Sequence, residues 1–429
     1  GEETYLSQVI SMVRHAQESR SRTQDFADRA ALWLTIIAIT VGVGTLAVWL
    51  WIGADFVNSL ERMVTVMVIT CPHALGLAIP LVVAVSTSLA AGDGLLIRDR
   101  SAFERARNIQ AILFDKTGTL TQGRFGVTRV ISFSDMEEDE VLRLTASLES
   151  QSEHAIGQGI IAAAKEKGLD CSEPRTFQAI PGLGAEAIVD GRSIKAVSPR
   201  YLKEQELSVD EQAIRDAQGE GDTIIFVLEE NRMLGSIALA DVVREESKEA
   251  LRKLKDMGVE TMMITGDAEA VARRIAKYLE IEEYFSNVPP DQKAEKIKEV
   301  QDRGLAVAMV GDGINDAPAL AQADVGVAIG AGTDVAIESA DIVLVQSNPH
   351  GVVAVIELAR KTHQKMVQNL LWATGYNVIA IPLAAGVLAG YGIILSPAVG
   401  AAVMAISTVI VAFNARLLGR TQVHRESDA

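Results

Sequence analysis

The distribution of apolar and charged positions divides the chain. Leu32 to Gly53, Met63 to Gly92 and Met366 to Ala415 contain no Asp, Glu, Lys or Arg. A helix needs ~20 apolar residues to cross a bilayer. The first two runs are therefore expected to form one spanning helix each, joined by a loop from Ala54 to Arg62. The third is long enough for two, turning near Ala389-Gly390-Tyr391-Gly392 and Ser396-Pro397. This predicts four membrane helices in two hairpins. Arg14, Arg20, Arg22 and Arg29 precede the first helix, and Arg98, Arg100, Arg105 and Arg107 follow the second. Lys361 and Lys365 precede the third, and Arg416 and Arg420 follow the fourth. Excess Lys and Arg marks the cytoplasmic side. Both termini and the central region are thus expected in the cytoplasm, and the chain is expected to be a multi-pass protein of the cell membrane.

Between Leu95 and Gln364 the pattern changes. Short apolar runs (Ala111 to Phe114, Thr261 to Ile264, Ala306 to Val310) end in polar, Gly-rich turns and alternate with amphipathic stretches at Val243 to Met257, Ala268 to Leu279 and Gln292 to Gln301. Strand-helix alternation predicts a parallel, doubly wound α/β sheet. From Gly126 to Gly235 shorter strand-like runs dominate, including Gly184 to Val189, Ser193 to Val197 and Thr223 to Leu228. This stretch is expected to be an inserted α+β domain.

Composition narrows the partners. Against 56 acidic residues there are 40 basic ones, a formal charge of −16, which argues against nucleic acid. The two cysteines, Cys71 and Cys171, lie in unlike surroundings and do not suggest a disulfide framework. The chain opens at Gly1 on a polar stretch without a secretory leader pattern. A processed form or a fragment of a longer protein is expected.

The densest chemistry is Asp115-Lys116-Thr117-Gly118-Thr119-Leu120-Thr121, directly after the run Ala111 to Phe114. An Asp at the carboxyl end of a parallel strand sits where such sheets bind ligands, and the Gly and Thr residues after it can turn backbone N–H groups toward phosphate. Carboxylates act as nucleophiles in ATPases that form an aspartyl phosphate. Thr265-Gly266-Asp267, Lys293 and Gly311-Asp312-Gly313-Ile314-Asn315-Asp316 follow other strand-like runs. Together they offer a hydroxyl and an ammonium for phosphate oxygens and carboxylates for Mg²⁺, the set that phosphoryl transfer requires. No Gly-Lys dipeptide occurs, so a Walker-type ATP loop is excluded. In the second apolar run stands Cys71-Pro72-His73. Proline interrupts helix hydrogen bonding, and polar side chains within a membrane usually serve function. Thiolate with imidazole suits copper or zinc, and thiolate favours Cu(I).

In this order and spacing, DKTGTLT, TGD and GDGINDAPAL resemble the phosphorylation domain of P-type ATPases. The resemblance implies Asp115 as the phosphorylated residue and Asp312 as a Mg²⁺ ligand with the Asp115 carboxylate and the Thr117 carbonyl. It implies Thr265 and Lys293 as phosphate contacts, with Lys116, Gly266, Asp267, Asn315 and Asp316 completing the site. Ser152-Glu153-His154 and Pro181-Gly182-Leu183-Gly184 are similar to the adenine-site motifs of the heavy-metal branch. Ala155 replaces the branch's usual Pro, and Val197-Ser198 its Gly-Asn pair. Glu153, His154, Gly182 and Gly184 are the implied ATP contacts.

Cys71-Pro72-His73 resembles the motif of a copper-associated subgroup. Gly375-Tyr376-Asn377 with Pro382, and Met404-Ala405-Ile406-Ser407-Thr408, resemble that branch's later helices, each with one substitution. Cys71, His73, Tyr376, Asn377, Met404, Ser407 and Thr408 are thereby implied as the path of the transported metal.

The implied fold is a four-helix membrane bundle with a haloacid-dehalogenase-like α/β phosphorylation domain carrying an α+β nucleotide-binding insertion. Its expected bounds are a cytoplasmic linker at 1–29, a membrane hairpin at 30–92 and the phosphorylation domain at 93–125 and 236–350. The insertion is expected at 126–235, the second hairpin at 351–416 and a cytoplasmic tail at 417–429. The implied function is ATP-driven export of a soft metal, copper as Cu⁺ or Cu²⁺ with Ag⁺ accepted alongside. ATP and Mg²⁺ are the implied cofactors, and lipid, the metal ion and a cytosolic metal chaperone the implied partners. The rival expectations are the same pump carrying zinc, cadmium or cobalt, and a truncated, non-cycling, phosphatase-like remnant. The actuator motif Thr-Gly-Glu is absent from the chain. The natural protein is accordingly expected to be longer, and this chain to accept phosphate but turn over poorly.

Overall fold

The computed structural model describes residues 22–152, 154–205, 207, 222–312, 315–330 and 339–420. Helix α1 (Arg22–Trp51) is followed by α2 (Phe56–Thr70), α3 (His73–Gly92), β1 (Leu95–Ile97), α4 (Arg100–Ala106) and β2 (Ala111–Asp115). Then come β3 (Thr121–Ser132), α5 (Glu138–Glu149), α6 (Ala155–Glu166), β4 (Arg175–Ile180), β5 (Gly184–Val189), β6 (Arg192–Val197) and α7 (Pro199–Glu204). The chain continues through β7 (Thr223–Glu229), β8 (Arg232–Val243), α8 (Glu245–Asp256), β9 (Glu260–Ile264), α9 (Glu269–Leu279), β10 (Glu283–Phe285) and α10 (Lys293–Gln301). It ends with β11 (Val307–Gly311), α11 (Ala317–Gln322), β12 (Val325–Ile329), β13 (Ile342–Leu344), α12 (His350–Gly375), α13 (Asn377–Ala385) and α14 (Pro397–Arg416). The individual strands and helices expected between Ala111 and Gln301 begin and end within a residue or two of their apolar and amphipathic runs.

The chain forms two compact units. One comprises Gly1–Ala111, Ile297–Met309 and Ala317–Ala429; the other comprises Ile112–Lys296 and Val310–Asp316.

The first unit holds the apolar helices. Among the described residues three segments are long and apolar enough to cross a membrane: Asp25–Trp51, Phe56–Gly92 and Pro397–Gly419. Two expectations are refined. Met63 to Gly92 lies within one candidate span that is interrupted at its proline. The helical segment starts at Phe56, where the Asp55 side chain accepts from Asn58 N–H, and it breaks at Cys71-Pro72. Proline has no N–H to continue the ladder and its ring crowds the preceding turn. The third expected span, the start of the third apolar run, is divided at Tyr376 into the end of α12 and the nine residues of α13. Arg62, assigned from sequence to a loop, lies in α2 and is buried because its guanidinium donates to the Leu395 carbonyl at 2.9 Å.

Leu75, Ile79 and Val82 of α3 pack with Met366 and Ala373 of α12 and Val411 of α14 in one buried cluster. Helices α2 and α14 approach at Gly400, where an added Cβ would lie 2.7 Å from Ile69 Cγ1. In the same unit β1 pairs antiparallel with β13, and β12 pairs parallel with β13.

In the second unit β2, β9 and β10 are neighbours in that order, and β9 and β10 run parallel. Ile112, Leu113 and Phe114 of β2 are wholly buried, each a burial of roughly 1.5–3 kcal/mol. The inserted sheet has six strands in the order β3-β8-β7-β6-β5-β4, all antiparallel pairs. Gly126 and Gly235 fall inside its first and last long strands, which pair from Thr121↔Val243 to Ser132↔Gly235. Helices α5 and α6 cover one face through Val141, Leu142, Leu148 and Ile160.

Candidate functional site

Asp115 ends β2 and is 6 % exposed. After it the chain turns sharply, with Thr117 extended and Gly118 at φ 75°. That conformation favours glycine, and space is tight as well: a Cβ on Gly118 would stand 3.1 Å from Asp312 Oδ2. The turn is tied down by residues that sequence reading missed. Arg244 Nε donates to the Thr119 carbonyl and its Nη2 to the Gly118 carbonyl, both at 3.1 Å. The Thr121 hydroxyl donates to Asp241 Oδ2 at 2.6 Å. Asp241 and Arg244 close the long apolar run of β8, and charged residues there are the signal available in the sequence.

Charged side chains converge on the turn. Lys293 opens α10 and its Nζ lies 2.6 Å from Asp115 Oδ1 and 2.6 Å from Asp316 Oδ1. Lys116 Nζ lies 2.6 Å from Asp267 Oδ2 and 3.3 Å from Asp241 Oδ2. Thr265 is buried at the end of β9, and its hydroxyl oxygen accepts from Asp267 N–H at 3.1 Å. Thr117, Gly266 and Asn315 are exposed. Gly313 and Ile314 lie outside the described residues.

Burial, then the Asp316 charge, pushes the Asp115 carboxyl up to about 7; Lys293 offsets this only in part, and Asp312 adds to it. For Lys293 burial works against the charge, but Asp115 and Asp316 outweigh it and hold the ammonium above its ordinary range. Asp316 Oδ2 is buried without a hydrogen-bond partner. Among the described residues no three His, Cys, Asp or Glu side chains converge closely enough to hold a metal ion; at Asp115 and Asp316 the Lys293 ammonium is bonded to both. Even so, the pocket carries more carboxylate than ammonium. An unpartnered buried carboxylate oxygen and a raised Asp115 are what a hard cation would relieve, so the donor set fits Mg²⁺.

In the inserted domain His154 is exposed and caps α6, its Nδ1 accepting from Ile156 N–H at 3.3 Å. Glu153 lies outside the described residues. Gly182 adopts φ 71° in the turn between β4 and β5, and Gly184 sits where a Cβ would strike the Ala196 carbonyl at 2.1 Å.

In the membrane unit Cys71 and His73 flank the break and both are exposed. The Tyr376 hydroxyl donates to the Ile69 carbonyl at 3.3 Å, one of those the interrupted helix leaves without an intrahelical partner. Asn377 is 2 % exposed with neither amide atom partnered. The buried Ser407 hydroxyl donates to the Trp372 carbonyl at 3.3 Å, and the Thr408 hydroxyl to the Met404 carbonyl at 3.1 Å. Tyr376 is thus brought to the break, and Ser407 is bonded instead to the helix that precedes Tyr376.

Residues 109–324 match the haloacid dehalogenase-like hydrolase family, and residues 293–356 match a second family of the same description. The α/β elements around β2 make this a domain of that class. Among solved structures, a zinc-transporting PIB-type ATPase in its E2.Pi state aligns with TM-score 0.77 and 30 % identity, over 97 % of this chain and 68 % of its own. The chain belongs to the PIB-type, heavy-metal branch of the P-type ATPases. It is 61 % identical to the copper-exporting P-type ATPase B of Archaeoglobus fulgidus, over 97 % of this chain and 60 % of the relative. It is 45 % identical to the protein of the same name in Enterococcus hirae, over 97 % of this chain and 56 % of the relative. The chain therefore spans about 60 % of the length of these curated relatives.

Proposed function

We propose that this chain is the catalytic and ion-gating portion of an ATP-driven exporter of a soft heavy-metal ion, working through an aspartyl phosphate on Asp115. The observation that carries the reading is the buried Asp115 carboxylate at the end of β2 with Lys293 Nζ 2.6 Å away. In the proposed step an Asp115 carboxylate oxygen attacks the γ-phosphorus of ATP. A new O–P bond forms, the bond to the bridging oxygen breaks, and ADP leaves with the electron pair. Lys293 and Thr265 bind phosphoryl oxygens. Lys116 stays paired with Asp267 and Asp241, so it orients the turn. The Gly118 turn, held by Arg244, presents the carboxylate. Asp312, with Asp115 and the Thr117 carbonyl, would hold Mg²⁺, and Asp316 and Asn315 complete that pocket; when bound, the ion neutralises charge on the transferring phosphoryl group. His154, Gly182 and Gly184, with Glu153, receive the adenine. The domain bounds and the two-hairpin organisation expected from sequence are kept as part of this proposal. So is a cytoplasmic catalytic region within a multi-pass protein of the cell membrane.

Copper is the proposed cargo, on the chemistry of Cys71 and His73 and the copper-exporting relatives at 61 % and 45 % identity. The ion would enter at the break beside Tyr376 and Asn377, with Met404, Ser407 and Thr408 along its path, and a cytosolic chaperone would deliver it. A second reading, zinc as cargo, is favoured by the structural likeness at 30 % identity to a transporter of zinc. Phosphoenzyme formation from labelled ATP, with Cu(I), Cu(II), Ag(I) and Zn(II) supplied in turn, decides between them. Stimulation by Cu(I) and Ag(I) that is lost in Cys71→Ala supports the copper reading. Stimulation by Zn(II) alone replaces it, and labelling without any metal response leaves only a phosphate-handling enzyme.

A further inference from the structure

The six-stranded insertion is joined to the rest of its unit through β3 and β8, and that ribbon is irregular where it leaves the phosphorylation turn. Thr121 pairs with Val243 and the next paired residue, Phe125, with Asp241, so three residues of β3 oppose one of β8. Gly123 within this stretch has φ 67°. Such a bulge interrupts the ladder and lets a strand bend. A second irregularity follows at once: Val127 pairs with Leu239 and Arg129 with Ala238, which leaves Thr128 as the extra residue.

The second bulge aims Thr128 at one particular carboxylate. The Thr128 hydroxyl lies 2.6 Å from Asp222 Oδ2, just ahead of β7. The other Asp222 oxygen, Oδ1, is bonded to Arg274 Nη1. Arg274 is on α9, the helix that follows Thr265-Gly266-Asp267, outside the inserted sheet. Its neighbour Arg273 is engaged by Glu269 on its own helix. The Asp222 side chain is 11 % exposed and that of Arg274 26 %. Partly buried Arg–carboxylate contacts are stronger and more directional than surface pairs. Among the described residues the insertion is thus tied covalently, through a bulged and bendable ribbon, and electrostatically, through Asp222 and Arg274.

We propose that Asp222 and Arg274 form a latch that sets how far the insertion swings toward Asp115, which makes Arg274 a positioning residue for phosphoryl transfer. This rests on the reading of the insertion as the nucleotide carrier. A hinge alone leaves ATP free to be held away from the nucleophile. A second tether beyond the hinge limits that search and lowers the ATP concentration needed for transfer. Removing the tether raises that concentration and leaves the chemical step at Asp115 untouched.

The test uses the whole chain in lipid nanodiscs, as wild type, Asp222→Arg, Arg274→Asp, the double reversal and Arg274→Lys. Two readouts are taken from each preparation: the ATP dependence of phosphoenzyme formation, and hydrogen exchange over residues 121–128. Exchange in β6 and β7 serves as the folding control. Each single reversal is expected to raise the half-saturating ATP by ~5-fold with the maximal level of phosphoenzyme retained, and to speed exchange over 121–128. The double reversal restores both, and Arg274→Lys falls between. Single reversals that change neither readout, or a double reversal no better than either single one, overturn the latch. If wild type makes no phosphoenzyme, the proposed function fails and exchange alone judges the latch: faster exchange in the singles with recovery in the double supports it, and unchanged exchange overturns it.

Discussion

Around Asp115 the charged side chains face one another. Lys293 joins Asp115 to Asp316, Lys116 joins Asp267 to Asp241, and Arg244 grips the turn between them. Around Cys71 and Pro72 the Tyr376 hydroxyl reaches the Ile69 carbonyl, while the other candidate ligand groups there are exposed or meet no partner. The thiol and imidazole are exposed, and the buried Asn377 amide is unbonded. The first region is assembled by this chain's own contacts and would keep its geometry between turnovers. The second is ready to change partners. That contrast suits a machine in which one end performs fixed chemistry and the other must bind an ion and then release it: coupling requires affinity that differs between states.

Substitutions at the two regions should have different effects. Asp115→Asn should abolish acid-stable labelling by ATP; labelling that persists would move the nucleophile elsewhere. Lys293→Ala leaves two buried carboxylates without their shared cation, a loss of about 3–5 kcal/mol when a buried pair is broken. It should lower the unfolding midpoint of the catalytic unit as well as labelling. His73→Ala should remove metal stimulation while leaving the unfolding midpoint unchanged, because an exposed side chain contributes little packing. Asn377→Leu separates the two regions most sharply. An unpartnered buried amide costs about 1–3 kcal/mol, so the variant should resist thermal unfolding better than wild type while its metal response falls. A variant both less stable and fully responsive would contradict the open-site reading.

The smallest effect belongs to Glu149, whose carboxyl burial pushes above its ordinary range against the pull of the Ser152 hydrogen bond. The folded insertion therefore holds that proton more tightly than the unfolded chain. Its stability should fall as pH rises from the ordinary carboxylate value through the raised one. Glu149→Gln should flatten that slope in thermal unfolding followed against pH.

Much of the cluster around Asp115 was legible because its residues sit at strand ends, where an apolar run stops and a short polar string begins. Asp115, Thr265 and Asp312 each follow such a run, which puts them at its carboxyl end. Asp241 and Arg244 were not legible. They lie at the end of a twelve-residue strand, β8, and their work is done on residues more than a hundred positions earlier. In the membrane unit the break at Cys71-Pro72 was readable from the proline. The start of that helical segment was not, because Glu61 and Arg62 look like loop residues until Leu395 supplies an acceptor for the guanidinium. The division at Tyr376 follows Gly375, a weak helix position that an apolar run counted by length alone does not register.

Ile69 stands where two of these features meet. Its side chain is the one against which Gly400 closes, and its carbonyl is the one the Tyr376 hydroxyl reaches. Exchanging a single hydrogen for a methyl group at position 400 would therefore press on one residue that is also tethered from another helix. The disturbance would be delivered two positions ahead of the thiol, without altering any group able to ligate an ion. Gly400→Ala is in that sense a purely mechanical probe: whatever it does to ion occupancy at Cys71 measures how stiffly the break is framed.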